Sequence, residues 1–406
     1  MKTLFQKLGP GILYAGAAIG VSHLVQSTRA GANYGFYFLG IIILANALKY
    51  PFFEISPIYT SKTGENLMKG YKSIHPIVLR LFLLVNLSTF IIVLSAITLV
   101  TSGLSALLFP IKLPLFFWVV LMSSMAFLII YFGHYHLLKV LTKYVVLALS
   151  VFTLIALAIA LFNTDDFSIY LGPTFDWKSS LDIAFLLALV GWMPAPLELS
   201  AWHSSWTLAE KKSTDYNTSL LDFKIGYWGT MILAIAFMTL GALVMFGNNS
   251  SFPDGAVAFS GQLIDLFTSQ FGAWSFTIIA FAAFGTMFTT LLTCFDAYPR
   301  VISEGHQILT DNKYIKYHSK IETSILLIAS LGVMTLLYFY LNNIKSIVDF
   351  ATTVSFIAAN LIALFNFIIA VKLKRAGLYP KGWFRWFLMI FGLIGLFIFS
   401  VFYLMK

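Results

Sequence analysis

Two short clusters of chemically active residues interrupt apolar segments of this chain. The first is Gly20-Val21-Ser22-His23, and the second is the run GWMPAP at 191–196. The imidazole of His23 and the thioether of Met193 are ligand types that suit transition metals and suit Mg²⁺ or Ca²⁺ poorly. The two clusters therefore predict a binding site, with a transition-metal ion as one candidate ligand.

The backbone at these interruptions adds further candidate ligands. A backbone that loosens in hydrocarbon leaves its polar groups unsatisfied unless protein or a water-filled cavity takes them. We expect Ser22 to cap the outer half of the first helix, and carbonyls near Ala18, Ile19 and Val190 to face the ligand. The predicted substrate-binding residues are Gly20, Ser22, His23, Val190, Met193 and Ala195, of which His23 and Met193 are the predicted metal ligands.

Ionisable groups within apolar segments are functional candidates by default. Lys49, Glu54 and Glu198 are predicted coupling or relay groups, together with His23, which titrates near neutral pH. Lys49 is also a candidate contact for an anionic substrate. The alternative is that Lys49 and Glu54 neutralise each other, or a neighbour such as Glu198, and fix helix packing. We expect Arg29 to extend to the membrane interface.

The composition places these residues in a membrane protein. Hydrophobic residues form 59% of the 406-residue chain and charged residues 11%. The apolar runs are about 20 residues or longer, as helices that cross a bilayer require, and they lack the alternation of a membrane barrel. The single cysteine, Cys294, excludes an internal disulfide framework and a multi-cysteine metal site. We find no enzyme motif and expect no enzymatic activity, no resident cofactor and no nucleic-acid partner.

The sequence predicts one transmembrane domain over residues 1–406 with eleven spans. Their approximate bounds are 10–33, 36–60, 76–108, 113–133, 138–162, 181–206, 224–247, 272–297, 322–341, 346–372 and 383–405. Twenty of the 26 basic residues fall in segments on one side, which predicts a cytoplasmic N-terminus and an extracytoplasmic C-terminus. We expect a monomer in a plasma membrane or bacterial inner membrane, with the lipid bilayer as its partner.

The two interruptions lie in the first and sixth spans. The second interrupted span comes five positions after the first, so residues 8–162 and 181–372 form two predicted repeats of opposite orientation, and the helix at 383–405 is an addition. Interrupted helices at matching positions of inverted repeats are the best sequence indication of a transporter's substrate site, which lies near the membrane midplane.

Several of these residues resemble a known family. Leu8-Gly9-Pro10-Gly11, Arg29-Ala30-Gly31-Ala32-Asn33-Tyr34-Gly35 and Leu44-Ala45-Asn46-Ala47 resemble the first two helices of the Nramp family of proton-coupled divalent-metal transporters, and Met193-Pro194 resembles its Met-Pro pair. The resemblance implies the leucine-transporter-type fold, an all-α five-plus-five inverted repeat with broken helices 1 and 6. This chain departs from the family where Gly20-Val21-Ser22-His23 replaces Asp-Pro-Gly-Asn and Ala195 replaces the histidine of Met-Pro-His.

The resemblance and the residues together predict a secondary transporter that works by alternating access. One cargo is a divalent transition metal imported with protons through a non-standard site. The alternative is a small anionic or zwitterionic solute coupled to Na⁺ or H⁺, or a protein that has lost transport. The adjacent hydroxyls of Thr289 and Thr290 resemble the sodium site of the leucine-transporter fold, although such hydroxyls also serve as interhelical hydrogen-bond donors.

Overall fold

The computed structural model is a bundle of α-helices. It describes residues 9–109, 111–133, 135–164, 175–210, 215–246, 255–341 and 343–404. The first interrupted segment consists of α1, a π-helical segment and α2. The elements of the first half are α1 (Pro10–Ala18), the π-helical segment (Gly20–Ser27), α2 (Thr28–Tyr34), α3 (Leu39–Thr63), α4 (Leu67–Ile74), α5 (Pro76–Leu108), α6 (Leu115–Phe132) and α7 (Tyr135–Phe162).

The second half begins with the other interrupted segment, which consists of α8 and α9. Its elements are α8 (Ser180–Gly191), α9 (Leu199–Ala209), α10 (Tyr216–Met245), α11 (Ala256–Phe271), α12 (Phe276–Leu309), α13 (His318–Tyr340), α14 (Ile344–Arg375) and α15 (Trp383–Leu404).

The described part of the chain contains nine helices that are long and apolar enough to cross a membrane. They are α3, α5, α6, α7, α10, α12, α13, α14 and α15. This is the pattern of a multi-pass membrane protein. The pieces of the two interrupted segments are each too short to meet that criterion, so the count of eleven spans stays a prediction.

The two interruptions differ in form. Residues 192–198 are not helical, so the sixth segment is broken as expected. In the first segment the α-helix ends at Ala18, and Gly20–Ser27 then continue as a π-helix that runs directly into α2. The first interruption is therefore a change from α-helical to π-helical winding, and α2 does not begin with free amide groups. π-Helical turns within α-helices occur frequently at functional sites.

Local sequence explains where several helices begin and end. The Ser179 hydroxyl accepts a hydrogen bond from the Asp182 amide (3.2 Å) at the start of α8, and the Asn66 side chain accepts from the Met68 amide (2.8 Å) at the start of α4. Gly35, which follows α2, has a φ of 55°, a backbone conformation that glycine adopts without a steric penalty.

Helix packing brings both interrupted segments to the centre. α10 runs beside α1, the π-helical segment and α2, while α5 packs against α12. α14 packs against α8, and α15 packs against α3. A Cβ atom at Gly31 would lie less than 3.0 Å from the Met238 carbonyl oxygen, so this glycine allows α2 and α10 to approach backbone to backbone.

We predict that Gly31→Ala destabilises the protein by about 1–3 kcal/mol, because the added methyl group must push α2 away from α10. Thermal unfolding in detergent, followed by tryptophan fluorescence, measures the effect. Gly229→Ala on α10 is the matched control, since a Cβ there meets no atom within 4 Å. Equal unfolding temperatures for the two variants would show that the contact does not constrain the packing.

Candidate functional site

The two interrupted segments lie against each other inside the bundle. The Ser27 hydroxyl, in the π-helical segment, is 3.9 Å from the sulfur of Met193 in the break of the sixth segment. Both side chains are fully buried, as is Ala195. The structure therefore places Met193 and Ala195 at the meeting point that the inverted repeat predicts.

Lys49 is the central charged group of this region. Its ammonium donates hydrogen bonds to the carbonyls of Val190 (2.5 Å) and Gly191 (2.9 Å), the last residues of α8. The residue is 2% exposed. The end of α8 carries the partial negative charge of the helix dipole, which favours a cation there. The Val190 carbonyl, a predicted ligand, is thus already occupied by a positive charge of the protein itself.

His23 has a similar arrangement in the first segment. Its Nδ1 lies 2.8 Å from the Ala18 carbonyl oxygen, and its Nε2 lies 2.9 Å from the carbonyl oxygen of Thr230 in α10. The Ser22 hydroxyl donates to the same Ala18 carbonyl and lies 2.7 Å from His23 Nδ1. A metal ion could take a ring nitrogen of His23 only by breaking one of these contacts.

The prediction that Ser22 caps the outer half of the first helix is wrong. Ser22 lies within the π-helical segment and donates backward to Ala18 rather than accepting from amides ahead of it. The physical reason is that the backbone keeps its helical winding past Ala18, so the amides that a cap would satisfy are not released there.

Thr290 brings α12 to the end of α1. Its hydroxyl donates to the Gly16 carbonyl at 2.7 Å and lies 3.0 Å from the Thr286 carbonyl of its own helix. Thr289 donates only to Thr286 (2.9 Å). A Cβ atom at Gly20 would lie less than 3.0 Å from the Thr290 side chain, so Gly20 serves this close contact. Thr290 therefore contacts the first helix, while Thr289 bonds within α12.

Glu198 ends the break of the sixth segment. Its carboxylate accepts hydrogen bonds from the Tyr298 hydroxyl (2.6 Å) and, more weakly, from Thr89 (3.5 Å), and it is 2% exposed. The Leu199 amide at the start of α9 donates to the Pro196 carbonyl at 3.1 Å. The first turn of α9 is thus closed by its own backbone, and Glu198 faces α5 and α12.

Glu54 pairs with the last helix rather than with Lys49. Arg385 of α15 donates to its two oxygens at 2.9 and 3.4 Å, and the Tyr50 hydroxyl donates at 2.7 Å. The alternative in which Lys49 and Glu54 neutralise each other is therefore wrong. Beside this pair, in the connection before α15, burial and the charge of Glu54 raise the pKa of Tyr379.

Arg29 forms an ion pair that the sequence analysis missed. It is 4% exposed and pairs with Asp349 of α14 at 2.8 Å, while also donating to Gln26 (3.1 Å). The expectation that Arg29 extends to the interface is wrong because an acid lies within its reach inside the bundle. Asp349 is the only acidic residue in the tenth predicted span, and that was the signal available in the sequence.

One buried hydrogen-bond donor of the break in the sixth segment has no partner. The indole nitrogen of Trp192, in the break, is buried and has no hydrogen-bond partner among the described residues. An indole N–H can only donate, and leaving one unsatisfied in the interior is unfavourable. Within the described ranges, no group of three or more His, Cys, Asp or Glu side chains is placed to hold a metal ion. These features favour a ligand that supplies acceptor atoms.

Fold and site together define a secondary transporter of the leucine-transporter type, with two interrupted helices crossing near the centre of a helical bundle. The family model "Natural resistance-associated macrophage protein-like" matches residues 11–406, so the chain belongs to the Nramp family. A relative from Pasteurella multocida (strain Pm70), described as an uncharacterised protein, is 34% identical over 374 residues, which cover 91% of this chain and 86% of the relative.

Solved structures show the same fold at low sequence identity. A manganese transporter of Eremococcus coleocola has a TM-score of 0.70 at 14% identity, covering 98% of this chain and 86% of that one. MhsT in complex with L-phenylalanine has a TM-score of 0.61 at 14% identity, covering 97% of both chains. A Na⁺-coupled sialic acid symporter has a TM-score of 0.60 at 14% identity, covering 96% of this chain and 88% of that one.

We predict that His23→Ala destabilises the fold by about 1–3 kcal/mol, because the contact between Nε2 and the Thr230 carbonyl is lost and the fully buried ring leaves a cavity. Thermal unfolding of the purified protein measures this. His318→Ala is the control, since that histidine lies outside the site in a partly exposed pair with Glu322 worth about 0–1 kcal/mol. An unchanged unfolding temperature for His23→Ala would contradict the structural role given to this residue.

Proposed function

We propose that this transporter carries a small solute with a carboxylate group, anionic or zwitterionic, and that the carboxylate binds Lys49. The observation that carries the proposal is the environment of this ammonium. It is buried, it donates to two main-chain carbonyls, and no carboxylate of the described residues pairs with it. An unpaired charge in the membrane interior is unfavourable by several kcal/mol, and an anionic ligand would compensate it.

The donors around Lys49 support the same ligand class. An ammonium has three N–H groups, and the two carbonyls of α8 account for two of them. Trp192 is the first of the non-helical residues that follow α8, and its indole N–H has no hydrogen-bond partner among the described residues. A carboxylate accepts several hydrogen bonds at once, so it could accept from the third N–H of Lys49. We propose that Gly20, Ser22, Val190, Met193 and Ala195 shape the pocket around this contact.

A divalent transition metal imported with protons is the second candidate. It is favoured by the family and by the contact that brings Met193 against the segment containing His23. Under this candidate His23, Met193 and the Val190 carbonyl are the ligands. Against it, the described contacts of His23 and Val190 are already made within the protein, and no carboxylate is among the ligands to balance a divalent charge.

We propose candidates for the coupling ion from the contacts of Thr290 and His23. Thr290 and the Gly16 carbonyl, with Thr289 beside them, would hold Na⁺ if the Thr290 hydroxyl turned its lone pairs toward the ion. His23 would carry a proton, with Glu198, Glu54 and Lys49 as further relay candidates. We also propose that the transport unit is a monomer. Its N-terminus lies in the cytoplasm and its C-terminus outside, as the distribution of basic residues predicts.

A flux screen in proteoliposomes distinguishes these proposals. The panel contains small carboxylates, Mn²⁺ and Mg²⁺, each measured with proton and sodium gradients imposed separately. We expect uptake of a carboxylate, with Lys49→Met weakening it about ten- to hundredfold, as is typical for the loss of a hydrogen bond to a charged group. Lys49→Arg is the matched control because it keeps the charge and the donors.

The metal candidate makes the opposite prediction for the same variants. It requires Mn²⁺ uptake that is lost in His23→Ala or Met193→Ala and survives in Lys49→Met. That result would overturn the carboxylate proposal. Size-exclusion profiles and unfolding temperatures of each variant separate loss of transport from loss of fold.

A further inference from the structure

A cavity of about 110 Å³ lies between α3, α8, α14 and α15. Its wall includes Leu44, Ala45, Lys49, Val190, Phe356 and Gly395. Lys49 is the only residue of the wall with a polar side chain, and the rest of the wall is apolar. The cavity therefore joins an apolar surface to the charged group on which the proposed function rests.

Exposure falls steeply along the wall of this cavity. Leu44 is 56% exposed, Ala45 one position further along α3 is 8% exposed, and Lys49 one helical turn beyond is 2% exposed. In a membrane protein the exposed end faces lipid. The cavity thus extends from the lipid-facing surface of the bundle to the side chain of Lys49, and nearly all of its surface is apolar.

The acidic residues of the surrounding helices are engaged elsewhere. Glu54 of α3 is paired with Arg385, and Asp349 of α14 is paired with Arg29. Asp182, at the outer end of α8, accepts hydrogen bonds from the Tyr34 hydroxyl and the Asp176 amide, and α15 contains no acidic residue. None of these carboxylates therefore pairs with Lys49, and an anionic occupant of the cavity would be free to do so.

We propose that the cavity binds the apolar tail of the transported carboxylate, so that the substrate is a small amphipathic monocarboxylate whose headgroup meets Lys49. This rests on the proposed function and narrows its substrate class. The volume limits the tail, because an apolar protein cavity of about 150 Å³ is filled by benzene. A short branched alkyl group fits, whereas a long acyl chain extends into the lipid.

Glycine at position 395 makes the proposal testable. Gly395 lines the cavity, and a Cβ there would meet no atom within 4 Å, so a larger side chain can enter the space without striking the backbone. Gly261→Leu is the matched control. Gly261 is also a helical glycine whose Cβ would meet open space, and it lies in α11, which does not line the cavity.

The experiment measures binding of 3-methylbutanoate and acetate to the full chain in lipid nanodiscs by calorimetry. Each buried methylene strengthens binding about fourfold, so the three additional carbons should favour 3-methylbutanoate roughly fiftyfold. We expect Gly395→Leu to remove this preference and Gly395→Ala to reduce it partly. Gly261→Leu should bind like the wild type.

The possible outcomes separate the two proposals. If both acids bind equally and Gly395→Leu changes neither, the tail cavity is wrong while a carboxylate site at Lys49 stands. If 3-methylbutanoate binds as well to Lys49→Met as to the wild type, the cavity binds apolar groups without any contribution from the charge of Lys49. That result overturns the inference. If the wild type binds neither acid, the proposed function fails and the inference fails with it.

Discussion

Carbonyl groups at the end of an interrupted membrane helix must find donors within the protein, because hydrocarbon offers none. In this chain Thr290 donates to Gly16, and Ser22 donates to Ala18 beside His23. Lys49 donates to both last carbonyls of α8. These side chains lie on α12, the π-helical segment and α3. Their hydrogen bonds hold α12 against α1 and α3 against the end of α8. Carbonyl groups at the interruptions thus have hydrogen-bond donors within the protein.

Different observations support the fold of this chain and its proposed cargo. The fold matches solved transporters closely although sequence identity is about one residue in seven. In this chain the Lys49 ammonium occupies the last two carbonyls of α8, and the indole N–H of Trp192, the next residue along the chain, has no hydrogen-bond partner among the described residues. Membership of the family therefore gives the architecture and the class of secondary transporter, while the proposal for the cargo rests on the charge of Lys49. In this chain the charge favours an anionic group.

Other charged groups in the helices form ion pairs, whereas the described partners of Lys49 are carbonyl groups. Arg29 and Asp349 join α2 to α14, Arg385 and Glu54 join α15 to α3, and Asp296 pairs with Arg300 on α12. Each of these pairs joins a buried charge to a partly exposed partner within about a hydrogen-bond length, which offsets much of the desolvation of the buried partner. Lys49 has carbonyl dipoles in place of a carboxylate. A dipole compensates a charge less fully than an opposite charge does, and this difference gives a substrate carboxylate a favourable place to bind.

The sequence by itself determined the class of protein, the helical bundle and the two interrupted segments, because hydrophobic length, Gly and Pro at mid-span, and the motifs of the first 60 residues are local properties of the chain. It also indicated His23, Lys49 and Met193, since polar groups are rare in membrane helices. Only the tertiary structure decided their partners. Whether Gly20–Ser27 unwinds or becomes a π-helix, and whether Lys49 faces Glu54 or the end of α8, depends on which helices pack alongside. Those contacts join residues more than 100 positions apart, and the energies that choose between them arise only when the whole bundle excludes lipid and water.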